Sequence, residues 1–210
     1  MRVDPKRILI VLHGSIGDVT RALPLASLIR KGFPEVKLSW AVEAPSFPLV
    51  EDYPAIDEVI VFDRRHWWHG IWPFLRTIRG RRFDVVVDLQ RHLKSGLVSF
   101  FSGAPIRVGF NKADGKEFNW LFNNRFIDAV GNATPKILHY MKFAELLGLP
   151  SQPIEWHFEL HSEEEKKSTF SWTKERSNTL CCSSELAGRV SGGFRVRWPI
   201  ARVFFGKTII

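Results

Sequence analysis

Hydrophobic residues at the start of the chain come in a short run that ends in a turn and gives way to a helical pattern. The apolar run closes at Leu12, the turn contains Gly14 and Ser15, and apolar residues then recur every three or four positions until Gly32. This order predicts a buried strand, a tight loop and a helix over residues 19–31. Pro24 falls inside that segment, so we expect the helix to begin late or to kink there.

The same two patterns alternate along the next hundred residues. Strands are predicted over residues 36–42, 57–62, 83–89 and 106–110, and helices over residues 94–101 and 135–147. Residues 64–82 form a longer connection to which we assign no element. Strands that alternate with helices at this spacing predict an α/β fold, a Rossmann-like, doubly wound and mainly parallel sheet.

The pattern fades after about residue 161. Residues 163–210 are rich in Ser and Thr, contain Gly192-Gly193 and lack a clear hydrophobic period. We therefore predict one domain over residues 1–162, followed by an irregular or truncated start of a second domain over residues 163–210.

Asp18 follows the first predicted strand and its loop. Ligands of open α/β sheets bind at the carboxyl ends of the strands, so Asp18 is expected to line a crevice. Two roles fit a carboxylate there: the N-cap of the helix, which the residues alone favour, or a general base. Gly14 and Gly17 form a G-x-x-G, which is not the G-x-G-x-x-G dinucleotide fingerprint, and a dehydrogenase is disfavoured.

The net charge of +8 adds a basic cluster to this picture. Six arginines lie between Asp63 and Asp84 with no acidic residue among them: Arg64, Arg65, Arg76, Arg79, Arg81 and Arg82. Such a surface attracts phosphorylated ligands, anionic lipids or nucleic acid, and charge alone does not choose among them.

Aromatic residues interleave with these basic residues, as Trp67, Trp68, Trp72 and Phe74. This mixture suits sugar stacking or a membrane interface, and packing of two rings onto the sheet is an equal alternative. No apolar run reaches the length of a bilayer span and no signal segment is evident, so a cytoplasmic protein is expected.

Metal and disulfide sites are not predicted. The two cysteines, Cys181 and Cys182, are adjacent, and the pair His66 and His69 has no third ligand nearby.

An ordered set of motifs along residues 6–160 resembles glycosyltransferase family 9, the bacterial lipopolysaccharide heptosyltransferases. The motifs are Ile8-Leu9-Ile10-Val11, Gly14-Ser15-Ile16-Gly17-Asp18-Val19, Ala22-Leu23-Pro24, Trp40-Ala41-Val42-Glu43, Asp88-Leu89-Gln90-Arg91-His92-Leu93-Lys94-Ser95, Arg107-Val108-Gly109-Phe110 and His139. Their recurrence in the order and spacing of the family, rather than any single motif, makes the resemblance specific.

The resemblance implies the GT-B architecture, in which two Rossmann-like domains face each other across a cleft. The N-terminal domain of the family holds the acceptor, and the C-terminal domain holds most of the nucleotide-activated heptose. This chain resembles the first domain with a truncated second one. Arg197-Trp198-Pro199 is similar to the family's Lys-x-Trp-Pro motif, but Val196 stands where the lysine should be.

The resemblance also implies roles for individual residues. Asp18 would be the catalytic base of an inverting transfer of heptose from ADP-heptose to a lipid-linked inner-core acceptor, with Gly14, Ser15 and Gly17 near the reaction centre. The acceptor's anionic groups would be bound by Arg64, Arg65, Lys94 and Lys116. No metal or other cofactor is implied. Peripheral contact with the cytoplasmic face of the inner membrane is expected, because the acceptor is a membrane lipid.

Two other classes of function stay open. A non-catalytic module that binds the acceptor or another anionic ligand, left by truncation, shares every N-terminal feature. A nucleic-acid binder rests on charge alone, without any recognised motif, and we expect no nucleic-acid partner.

Overall fold

The computed structural model describes residues 4–62, 67–131 and 133–156; for 67–69 it describes the backbone only. Within these ranges parallel strands alternate with helices. The elements are β1 (Arg7–Val11), α1 (Ile16–Gly32), β2 (Lys37–Glu43), a 3₁₀ helix (Ala44–Leu49), β3 (Glu58–Phe62), α2 (Trp67–Gly80), β4 (Val85–Asp88), α3 (Leu93–Phe101), β5 (Ile106–Gly109), a second 3₁₀ helix (Asn119–Phe122), β6 (Arg125–Phe126) and α4 (Lys136–Leu146).

The six strands form one sheet in the order β3-β2-β1-β4-β5-β6, and every pairing is parallel. The chain builds outward from β1 in one direction and from β4 in the other. The border between β1 and β4 is therefore a switch point, where the loops at the carboxyl ends diverge and leave a crevice. Val11 and Asp88 are register partners at this border.

The central strands are apolar along their whole length because both faces of the sheet are covered. Four of the five residues of β1 and all four of β4 are buried. On one face, Leu9 and Val86 belong to a core cluster with Ile78 of α2 and Val98 of α3. The predicted α/β fold with a mainly parallel sheet is confirmed.

The structure corrects three details of the predicted elements. Helix α1 begins at Ile16 and passes through Pro24, so the helix begins earlier than predicted rather than later. A helix, α2, occupies most of the connection to which no element was assigned. The two-residue strand β6 was not predicted at all.

The predicted second domain, residues 163–210, lies outside the described residues, and so does the Arg197-Trp198-Pro199 motif. A compact unit spans Met1–Ile154, close to the predicted boundary at residue 162, which stays a prediction. Among the helices in the described ranges, none combines the length and the apolar character needed to cross a bilayer.

Candidate functional site

The loop between β1 and α1 is held on both sides by backbone hydrogen bonds. The N–H of Leu12 donates to the carbonyl of Ala41 at 3.2 Å, and the N–H of Leu89 donates to the carbonyl of Val11 at 3.1 Å. The buried hydroxyl of Ser46 donates to the carbonyl of Gly14 at 3.2 Å. The loop therefore has a fixed path at the switch point of the sheet.

Asp18 lies in the first turn of α1 and not at its N-cap. Ser15 is the N-cap, and its carbonyl accepts from the N–H groups of Asp18 and Val19 at 2.9 and 3.0 Å. The N-cap interpretation of Asp18 is wrong because the helix begins before it, at Ile16. The side chain is 21% exposed, so its carboxylate can still reach a ligand.

Two cations converge on one oxygen of this carboxylate. Lys136 donates from Nζ to Oδ1 of Asp18 at 2.8 Å, and Arg21 donates from Nη1 to the same oxygen at 3.2 Å. The other oxygen, Oδ2, accepts only a long contact of 3.4 Å from the hydroxyl of Ser15 among the described residues. Oδ1 is thus occupied, and Oδ2 is the more available proton acceptor.

Gly14 keeps the space beside the carboxylate open. A Cβ added at Gly14 would lie 3.3 Å from Cβ of Asp18 and 3.5 Å from its Oδ2. A Cβ added at Gly17 would meet Nη1 of Arg21 at 3.4 Å. The small residues of this loop allow the backbone to come close to Asp18 and its partner arginine.

Lys136 was not among the predicted site residues. It is the first residue of α4, 118 positions after Asp18 in the chain. A lysine at a helix N-terminus is opposed by the helix dipole, which is the same signal that singled out Lys94. That signal could have found Lys136, although it could not have named Asp18 as the partner.

His139, one helical turn after Lys136, extends the contacts toward the next loop. Its Nδ1 accepts from Nη2 of Arg91 at 2.6 Å, and its Nε2 donates to the carbonyl of Thr134 at 3.1 Å. Burial, and then the charge of Arg91, lower the pKa of His139 below its usual value, so the neutral ring fits both contacts. The guanidinium of Arg91 also lies 4.6 Å from the ring centroid of Phe110.

Two of the four predicted acceptor-binding residues lie near the N-terminal end of α3. Lys94 is an exposed residue in the first turn of this helix, and the N–H of exposed Lys116 donates to the carbonyl of Arg91 at 3.0 Å. Glu117 joins the two segments, because its Oε2 accepts from the N–H of Leu93 at 3.1 Å. Arg64 and Arg65 lie outside the described residues.

Asp88 is a buried carboxylate at the carboxyl end of β4. It accepts from the side-chain amides of Asn119 at 2.7 Å and Asn123 at 3.3 Å, and from the N–H of Gln90 at 3.0 Å. Burial raises the pKa of Asp88 to about 6, and hydrogen bonds from Asn119 and Ser95 oppose the rise. Asp88 ties β4 to the 119–122 turn, and its side chain is closed to ligands.

His13 and Phe74 pack under the loop. The ring of His13 lies 5.7 Å from that of Phe62 and 5.8 Å from that of Phe74, and Phe62 and Phe74 are 4.9 Å apart. Burial lowers the pKa of His13 to about 4, so this side chain is neutral. Phe74 packs onto the sheet, Trp72 is exposed, and the side chains of Trp67 and Trp68 fall outside the described residues.

Metal chemistry has no candidate in the part of the chain that the structure describes. No three His, Cys, Asp or Glu side chains there come close enough together to hold an ion. The chemistry available at the crevice is that of one carboxylate, the cations around it and the open space next to Gly14.

Comparison with known proteins gives relatives among the lipopolysaccharide heptosyltransferases. Lipopolysaccharide core heptosyltransferase OpsX of Haemophilus influenzae is 27% identical over 184 residues, 86% of this chain and 52% of that protein. Lipopolysaccharide heptosyltransferase 2 of Escherichia coli K12 is 25% identical, covering 92% of this chain and 57% of that protein. The chain thus spans little more than half the length of these relatives.

Solved structures share the fold. A glycosyl transferase family 9 protein from Veillonella parvula superposes with a TM-score of 0.70 at 22% identity, over 83% of this chain and 50% of that one. The structure of the E. coli heptosyltransferase WaaC with ADP-2-deoxy-2-fluoro heptose superposes with a TM-score of 0.63 at 23% identity, over 71% of this chain and 51% of that one.

The sequence profile of one family matches more than half of the chain. That family is described as "Glycosyltransferase family 9 (heptosyltransferase)", and the match covers residues 71–186. The chain belongs to glycosyltransferase family 9.

Proposed function

We propose that this chain takes part in the transfer of heptose from ADP-heptose to the lipopolysaccharide inner core, with inversion at the sugar and with Asp18 as general base. The observation that carries the proposal is the position of Asp18, a partly exposed carboxylate held by two cations at the switch point of the sheet. The names of the relatives supply the donor and acceptor classes.

The proposed reaction follows from the two oxygens of Asp18. Oδ2 takes the proton of the acceptor hydroxyl while the hydroxyl oxygen forms a bond to the anomeric carbon of the heptose. The bond from that carbon to the diphosphate breaks on the opposite face, and ADP leaves with the electron pair. Lys136 and Arg21 hold Oδ1 and fix the orientation of the carboxylate.

We assign acceptor binding to Lys94 and Lys116, together with Arg64 and Arg65. The first two are supported by their positions near the N-terminal end of α3, where the backbone N–H of Lys116 donates to the carbonyl of Arg91. Arg91 bonds His139, which lies one turn from the partner of Asp18. Ammonium and guanidinium groups suit the carboxylates and phosphates of an inner-core acceptor.

The domain roles follow from this assignment. Residues 1–162 would form the acceptor domain, and residues 163–210 would begin the donor domain. We place the reaction in the cytoplasm, at the inner-membrane face that carries the lipid-linked acceptor.

A second candidate function is a non-catalytic module that binds the acceptor or another anionic ligand. It is favoured by Val196, which stands where the family's Lys-x-Trp-Pro motif has its lysine. Such a module would bind acceptor through the same cations and would bind no nucleotide sugar.

Calorimetry and a transfer assay on the full chain separate the two candidates. The transferase predicts binding of ADP-heptose, release of ADP and a gain of one heptose in the mass of an inner-core acceptor. The binding module predicts acceptor binding alone. If neither ADP-heptose nor the acceptor binds, both assignments are wrong.

A further inference from the structure

Helix α3 buries mostly small residues and exposes three of its large apolar ones. Its buried residues are Ser95, Gly96, Val98 and Ser99. Leu93, Phe100 and Phe101, at spacings of seven and eight residues, are all at least 40% exposed. An ordinary surface helix has the reverse arrangement, with its apolar stripe toward the core.

Close packing on the inner side fixes this orientation. A Cβ added at Gly96 would lie 2.9 Å from the ring of Phe122 and 3.1 Å from the carbonyl of Asn119. The hydroxyl of Ser99 donates to Oδ1 of Asn123 at 2.7 Å in a buried bond. The helix cannot rotate its phenylalanines inward without breaking these contacts, so the fold itself exposes them.

The exposed apolar surface continues onto the neighbouring turn. The rings of Phe100 and Phe122 are 6.1 Å apart, and Phe118 and Leu121 on the same turn are 64% and 67% exposed. We call the set Leu93, Phe100, Phe101, Phe118 and Leu121 the α3 patch. Exposed large apolar side chains on two packed segments mark a candidate site of interaction.

Basic side chains border the α3 patch. Exposed Lys94 and Lys116 lie beside Leu93 and Phe118 in the chain. The half-buried guanidinium of Arg107 donates to the carbonyls of Phe122 and Ala104 and lies 5.7 Å from the ring centroid of Phe100. The nearby acid, Glu117, has the side chain of His92 as a partner at 3.1 Å. Exposed apolar side chains with basic side chains nearby suit a lipid surface with anionic headgroups. The apolar groups would enter the interface, and the cations would meet the phosphates.

We propose that the α3 patch docks this protein on an anionic membrane surface. The inference stands on this surface and does not require heptose transfer. It differs from the sequence analysis, in which a membrane interface was one of the alternatives for Trp67, Trp68, Trp72 and Phe74. If the proposed transfer also holds, the α3 patch adjoins Lys116, to which we assign acceptor binding.

Flotation of the full chain with vesicles at low salt tests the proposal. We expect the chain to float with vesicles that contain phosphatidylglycerol and to remain unbound with vesicles of phosphatidylcholine alone. In the double variant Phe100→Asp, Phe101→Asp the bound fraction should fall at least about tenfold. The variant loses two apolar rings that would enter the membrane and gains two negative charges that the anionic headgroups repel. Leu121→Asp, on the adjoining turn, should lose part of it.

Leu138→Asp is the matched control, because Leu138 on α4 is 41% exposed, as Phe101 is. It should float like the unchanged chain, and thermal melting verifies that each variant folds. Flotation that is absent for the unchanged chain, or equal for the double variant, overturns the proposal. A dimer that the double variant converts to monomer, without flotation, assigns the α3 patch to a second copy instead. Because no nucleotide sugar is present, the result is independent of the transfer assay.

Discussion

Lys136 Nζ lies 2.8 Å from Oδ1 of Asp18, in an ion pair that joins the first residue of α4 to the first turn of α1. The lysine is about half exposed and the aspartate mostly covered. Both groups stand at helix N-termini, where the dipole favours the carboxylate and opposes the ammonium. The position of Lys136 is therefore explained by Asp18 and not by its own helix.

Lys136→Met should lower kcat of the proposed transfer by about tenfold, because the carboxylate loses the stronger of the two bonds that orient it. KM for ADP-heptose should be unchanged, since Lys136 lies in the proposed acceptor half. Steady-state kinetics measure both values. Lys142→Met is the matched control, as Lys142 pairs with Glu145 at 2.7 Å on the same helix. Equal rates for the two variants would remove Lys136 from the site.

Gly14→Ala should reduce transfer strongly while changing the free energy of unfolding by no more than about 1 kcal/mol. The added methyl group would lie 3.3 Å from Cβ of Asp18, a tight contact, and would fill the space 3.5 Å from its Oδ2. Gly80→Ala is the comparison, because a Cβ there meets nothing within 4 Å. Denaturant melts and initial rates of both variants test this. A fully active Gly14→Ala would show that the acceptor does not approach beside Gly14.

Asp88 should make the folded state less stable as pH rises from about 4 to about 6. The folded protein keeps the proton because burial raises the pKa of Asp88 from the ordinary 3.8 to about 6, while the unfolded chain releases it earlier. The loss is about 1.4 kcal/mol per unit of pKa difference, and it is complete above the folded value.

Urea unfolding of Asp88→Asn against pH isolates this contribution from that of Glu58, whose pKa is lowered by Arg81. The stability difference between the variant and the unchanged chain should vary between pH 4 and 6 and be constant above. A difference that is flat throughout would mean that Asp88 titrates normally.

Phe118→Gly should raise the free energy of unfolding by up to about 1 kcal/mol, since it removes a left-handed backbone cost. Phe118 has a φ of 59° and is largely exposed, so the substitution loses little packing beyond the ring contact with Trp120 at 5.4 Å. Leu121 is on the same turn and similarly exposed, but its φ is not positive. Leu121→Gly should therefore lower the free energy of unfolding. Thermal melting of the two variants decides, and a loss of stability for both would show that the ring of Phe118 packs usefully.

The fold could be predicted from the sequence because its signals are local. The apolar runs at β1 and β4 and the turns after them define a parallel sheet, and Asp18 follows directly as a residue at a carboxyl end. The start of α1 at Ile16 could not be predicted, since Ser15 and Asp18 are both good caps and only the backbone chooses between them.

The candidate site could be predicted only in part because its contacts are distant in the chain. Lys136 reaches Asp18 across 118 positions, and His139 reaches Arg91 across 48. The exposure of the apolar residues of α3 could not be predicted for a related reason. Its sequence satisfies a helical period, but the contacts of Gly96 and Ser99 decide which side faces the core.

The role of Asp18 as the base is tested by the rate of heptose transfer by Asp18→Asn, measured beside acceptor binding by the same variant. We predict a fall in kcat of at least about 100-fold with the acceptor still bound, because the amide keeps the shape of the carboxylate but cannot take the proton. An Asp18→Asn variant that transfers heptose at the rate of the unchanged chain would contradict the assignment of Asp18 as the base.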